Sequence, residues 1–158
     1  MNIFLLDTNP RKCAAYHCDR HVVKMILESA QMLCTAHWMT GSRAPYKATH
    51  TSHPCSLWVR ESIDNYRFLC RLGLGLCKEY TRRYGKVHKT QNVIEWCNAN
   101  EPALLSRGRT PFAQAMPEEY KGSNAIEAYR RYYLGEKRGL LKYTNSRVPK
   151  WIKNAFCV

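Results

Sequence analysis

The chain has 158 residues, the size of one domain, and its 45% hydrophobic and 23% charged residues are ordinary globular usage. That composition excludes a disordered chain, and the length allows roughly 68–70% of the unfolded surface to be buried. Lys and Arg number 25 against 12 Asp and Glu, a net +13 that repels itself in the compact state and calls for a polyanionic partner. Phosphate backbones come first and anionic membrane surfaces second.

The opening run Met1 to Asp7 is apolar but too short for a signal peptide, without a basic n-region or cleavage site. No stretch approaches the ~20 apolar residues of a membrane span. The expected location is the cytoplasm, the interior of a host cell. The eight cysteines, at 13, 18, 34, 55, 70, 77, 97 and 157, form no CxxC pair and are read as free thiols in a reducing compartment.

In chain order, residues 2–7 predict a short strand or an extended arm, and Thr8-Asn9-Pro10 a helix start. Ala14, Cys18, Val22, Met25, Ile26, Ala30, Leu33 and Ala36 recur at helical spacing, predicting one helix over about 10–39, stopped by Gly41. Residues 41–54 read as a loop. A second long helix is predicted over 55–84, with Ser62 on its apolar side and Gly85 as its C-cap. Gly73 and Gly75 inside it imply a kink or close packing. A shorter helix follows over about 90–98, capped by Thr90, then a loop over 99–123. The last helix is predicted over about 123–142, followed by an extended basic-aromatic tail at 147–153. The expected fold is all-α: a single compact domain over 1–158, of three to four helices with an extended N-terminal arm and long irregular loops.

Positive charge concentrates in two segments. Residues 43–89 carry ten basic and three acidic residues, and residues 120–153 nine and two. Two basic regions with a neutral remainder predict a cleft or stripe.

On the first helix His17, His21, Lys24 and Glu28 fall within roughly 60° of one another. The stripe reads as a solvated face of His–Glu and Lys–Glu pairs, as an acid/base set facing the cleft, or as a two-histidine metal site needing further ligands. His50-x-x-His53-Pro54-Cys55 precedes the second helix, where loop histidines can donate to phosphate or simply cap. His17, His21, His50, His53 and Cys55 match no closed zinc spacing. Basic residues interleave with aromatics at Tyr80 to Lys86, Tyr129 to Tyr133, Lys142-Tyr143 and Lys150-Trp151, where arginines can position phosphates and rings can stack on bases. For Tyr129, Tyr132 and Tyr133 the i, i+3, i+4 spacing equally fits core packing. No P-loop, GxGxxG, HExxH or GxSxG is present, so neither nucleoside-triphosphate nor serine-hydrolase chemistry has support.

Four features together resemble the phage endonuclease V family, the pyrimidine-dimer DNA glycosylases with AP-lyase activity. An apolar arm runs into a helix. That helix carries Asp19-Arg20-His21-Val22-Val23-Lys24, similar to the family's Arg-Glu-x-x-Arg run. A His-led second helix ends at Arg82-Arg83-Tyr84-Gly85. Pro117-Glu118-Glu119-Tyr120-Lys121-Gly122 is similar to the family's Pro-x-Glu-aromatic-basic-Gly turn.

The resemblance implies an all-α enzyme whose N-terminal α-amine attacks the sugar C1′ and forms a Schiff base, assisted by a carboxylate on the first helix. The expected partner is double-stranded DNA, bound by a monomer, with no membrane, cofactor or metal. Two departures stand out. Asn2 is too bulky for routine Met removal, which leaves the amine to Met1, and His21 occupies the position of the catalytic glutamate. The expected catalytic set is therefore Met1, Asn2, Asp19, His21, Lys24 and Glu28. The expected nucleic-acid contacts are Arg20, His50, His53, Arg60, Arg82, Arg83, Lys86, Arg130, Arg131, Lys150 and Trp151. A non-enzymatic basic nucleic-acid-binding protein and a histidine-dependent metal nuclease are the competing readings.

Overall fold

The computed structural model describes residues 1–156, so Cys157 lies outside the described residues. Among them there are seven α-helices, two short 3₁₀ turns and no strand: α1 (Pro10–Tyr16), α2 (Asp19–Met39), α3 (Pro54–Glu61), α4 (Ile63–Tyr84), α5 (Gln91–Ala99), α6 (Ala125–Leu134) and α7 (Lys150–Phe156). The all-α expectation holds, with more helices than the three to four expected.

The excess comes from two breaks and a tail. Asn9 opens α1 by accepting from Arg11 and Lys12 amides, with Pro10 at the first position. The predicted 10–39 helix is interrupted at His17, whose backbone turns extended (ψ 133°). The Arg83 guanidinium takes the freed carbonyls of Ala15 (3.1 Å) and His17 (2.9 Å), and the Cys18 amide reaches the Tyr133 hydroxyl (3.3 Å). A second break falls at Ser62, which leaves the predicted apolar stripe and caps α4 through the amides of Asp64 and Asn65. The predicted last helix ends at Leu134, and the tail predicted as extended forms α7 instead, after Pro149.

Several local signals stand as read. His53 caps α3 with its own ring, accepting from the Cys55 amide at 3.1 Å. Gly85 adopts the left-handed conformation (φ 69°) that closes α4. Gly73 and Gly75 mark close packing: a Cβ on Gly73 would stand 3.1 Å from Ile94 of α5, and one on Gly75 3.1 Å from Ala14 of α1. Thr90 precedes α5 but makes no side-chain cap; its hydroxyl meets that of Tyr46 at 3.0 Å.

Helix α4 packs against α1, α2, α3 and α5. The arm threads this assembly as extended chain rather than a strand, with residues Asn2 to Leu6 all buried. The seven described cysteines are free, as expected, and all are buried. No described helix is long and apolar enough to cross a membrane.

Candidate active site

The arm delivers the amino terminus to one face of α2. The Met1 α-amine lies 3.5 Å from Glu28 Oε1, and the Asn2 amide donates to Glu28 Oε2 at 3.1 Å. Both carboxylate oxygens thus face the first two residues, and Lys24 Nζ stands 3.8 Å from Oε1, one turn away. Asn2 is held from four sides. Its Oδ1 accepts from the Ile3 amide (2.8 Å) and lies within reach of the Tyr129 hydroxyl (3.0 Å) and the Cys55 thiol (3.5 Å). Its Nδ2 donates to the Ala115 carbonyl at 2.8 Å.

His21 stacks on Phe4 (centroids 4.3 Å apart) and shares a 2.7 Å hydrogen bond between Nδ1 and the Tyr133 hydroxyl. Burial, followed by the charges of His17, Lys137, Lys24 and Arg20, pushes its pKa down to about 3, so the ring is neutral at physiological pH. The walls close around a cavity of about 160 Å³ that includes Met1, His21, Lys24, Glu28, Tyr132 and Lys137. Three amines face one carboxylate there, a field suited to a substrate carrying phosphates. His53 belongs to the same neighbourhood. Burial, then the charges of the amino terminus and His50, lower its pKa, while Glu28 works in the opposite direction. Among the described residues no group of three or more His, Cys, Asp or Glu side chains is placed to hold a metal.

The first 109 residues of the chain match the family described as pyrimidine dimer DNA glycosylase. The chain belongs to the pyrimidine dimer DNA glycosylase family. No curated protein and no solved structure matches it. Membership makes DNA the substrate of this glycosylase-family chain. The family match ends at residue 109, yet Ala115, Tyr129, Tyr132, Tyr133 and Lys137 beyond it complete the site.

The expected site residues separate into groups. Met1, Asn2, His21, Lys24 and Glu28 come together around one cavity. Asp19 does not: nine residues before Glu28, it sits half a turn round the helix on the opposite face. It is tied to Arg83 (3.1 Å) and to Thr144 through the amide (2.9 Å) and hydroxyl (2.6 Å). Burial opposes its ionisation, but the Thr144 and Arg83 hydrogen bonds hold its pKa below the ordinary value. His17 also leaves the stripe, because the helix breaks there; its ring is buried, with Nδ1 on the Cys13 carbonyl at 2.7 Å and Nε2 without a partner among the described residues. The polar stripe is therefore not a solvated face, since only Lys24 is exposed.

Among the expected nucleic-acid contacts, Arg83 is a correction. Its guanidinium is buried, bonded to Ala15, His17, Asp19 and Glu79, and reaches no surface. Trp151 is a second: half-buried against Tyr16 and Tyr133 under Arg130, it is not a free stacking platform. Arg130 ties down the arm, donating to the Leu6 carbonyl (2.9 Å) beside Asp7. Arg60 holds the loop before α3 through the Thr51 carbonyl (2.7 Å). Arg82 is exposed but braced by Glu79, Asn145 and Ser146. Arg131 donates to the Tyr120 carbonyl (3.0 Å), and His50 pairs with the Thr49 hydroxyl. Arg20, Lys86 and Lys150 are exposed.

Phe4, Tyr129, Tyr132, Tyr133, Cys55 and Lys137 were missed as site residues. The tyrosine spacing signalled packing correctly; of these rings Tyr132 lines the cavity, and nothing local marks Lys137.

Proposed function

We propose that the chain is a pyrimidine-dimer N-glycosylase with AP-lyase activity, acting as a monomer on double-stranded DNA through the α-amine of Met1. The observation that carries this reading is the 3.5 Å contact between that amine and the largely buried Glu28 carboxylate. The α-amine becomes a nucleophile once its proton passes to an adjacent base, and Glu28 is placed to be that base.

The amine lone pair attacks C1′ while the C1′–N bond to the pyrimidine breaks, the base leaving with that electron pair and gaining a proton. Glu28 takes the proton the amine must lose, and opening of the sugar ring gives the Schiff base. Removal of a C2′ proton then expels the 3′ oxygen, cutting the strand, and water hydrolyses the imine to restore the amine. Lys24 and Lys137 face the phosphates beside the sugar, and neutral His21 with Phe4 fixes the arm. Glu28 replaces the carboxylate missing at His21, two helical turns further along the same face. The remaining positions Arg20, His50, His53, Arg60, Lys86 and Arg131 supply backbone contacts.

Borohydride reduction of the chain with a duplex carrying one pyrimidine dimer tests this. A covalent complex is expected, lost when the α-amine is acetylated. Trapping that survives acetylation, or none in the unmodified protein, overturns the reading.

A further inference from the structure

We infer that the groove between α1 and α4 is a second seat for a DNA phosphodiester backbone, distinct from the amine cavity. Arg71, Gly75, Lys78 and Arg82 lie at i, i+4, i+7 and i+11 of α4, on one face. Gly75 lets α1 settle onto that face, since a Cβ there would stand 3.1 Å from Ala14 Cβ and 3.5 Å from the Pro10 carbonyl oxygen. A hollow opens on each side of this seam. One, of about 320 Å³, lies between Arg11, Arg71 and Lys78 over Pro10 and Leu74. The other, of about 640 Å³, lies between Arg82, Arg147 and Lys150 over Tyr16 and Val148.

Six cations border the two hollows against one carboxylate, Glu79, which is already bonded to Arg82 (2.6 Å) and Arg83 (3.1 Å). Arg11, Arg71, Lys78, Arg147 and Lys150 pair with no carboxylate among the described residues. Unpaired cations gathered over an apolar floor repel one another and focus a positive field that a polyanion relieves. From Arg71 to Arg82 the helix rises about 16 Å, enough to meet more than one phosphate of a duplex.

The groove and the amine cavity share no lining residue. The arm connects them: Met1 opens into the cavity, residues 2–6 run extended and buried, and Asn9 and Pro10 emerge at the groove. On this reading the backbone seated on α4 belongs to a second duplex segment and not to the one entering the cavity. This inference stands apart from the amine chemistry.

The test counts duplexes bound per chain, by sedimentation of the full protein with a duplex of about 12 base pairs at low salt. Two are expected. The variant Arg11→Gln/Arg71→Gln/Lys78→Gln is expected to weaken the second at least tenfold and to leave borohydride trapping on a short lesion duplex unchanged. Those side chains are exposed and unpaired; Arg71→Gln/Lys78→Gln alone is the milder companion and is expected to shift the second phase in the same direction. One duplex per chain in the unmodified protein, or a second phase indifferent to both variants, overturns the proposal. Absence of trapping in the unmodified protein leaves the duplex count readable and tells only against the amine chemistry.

Discussion

At the scale of the residue, Glu28 and His21 take different roles at the amino terminus. Glu28 meets the amine and His21 anchors the arm by stacking and by its bond to Tyr133. Glu28→Gln keeps the volume and the acceptor for the Asn2 amide but removes the base, so borohydride trapping is expected to slow by about 10²–10⁴ with the fold intact. A neutral ring gives a second expectation: with the His21 pKa near 3, the pH–rate profile between 5.5 and 7.5 carries no inflection from this imidazole. An inflection that disappears in His21→Gln would contradict that assignment.

At the scale of the element, the break between α1 and α2 matters most, because it takes His17 out of the ionisable stripe and frees helix-end carbonyls that must find donors. Arg83 supports the break by filling the carbonyls of Ala15 and His17 and by neutralising Asp19 and Glu79. Removing one partner of a buried ion network leaves the others unpaired. Arg83→Met is expected to cost about 3–5 kcal/mol in stability, measurable as a lowered urea midpoint. A loss below about 1 kcal/mol, the range of exposed ion pairs, would show that Arg83 is not the support. The seam at Gly75 makes a parallel prediction. Gly75→Ala adds helix propensity, but the new methyl stands 3.1 Å from Ala14, so overpacking of about 1–3 kcal/mol outweighs that gain and the melting temperature falls.

At the scale of the whole molecule, the arm and the tail tie the two ends of the chain into one core. Tyr129, Tyr132 and Tyr133 surround Phe4, and Trp151 lies on Tyr133. A single cooperative unfolding transition is expected by far-ultraviolet circular dichroism and by tryptophan fluorescence, and the fragment 1–109 is expected not to fold alone.

Acid should destabilise this core in a defined window. The folded pKa values of His17, about 4, and His21, about 3, lie below the unfolded value of ~6.5. As pH falls the unfolded chain takes up these protons first, so the stability from burying neutral rings is complete above about 6.5 and is lost toward 4 and below. The melting temperature should fall across that window, less steeply in His21→Gln.

Periodicity, turn residues and charge alone determined the all-α class, the cap at His53, the glycine stop at Gly85, the basic surface and the shared face of His21, Lys24 and Glu28, because each rests on spacing along one helix or on a local backbone need; Met1 and Asn2 entered only through the family resemblance. What lay outside local reach were the breaks at His17 and Ser62 and the burial of Arg83. Also beyond it was the arrival of Lys137 and Tyr132 at the cavity. An uninterrupted apolar period does not reveal that a guanidinium some 66 residues away takes the carbonyls of a helix end. Only long-range packing decides which cations face solvent and which are consumed inside.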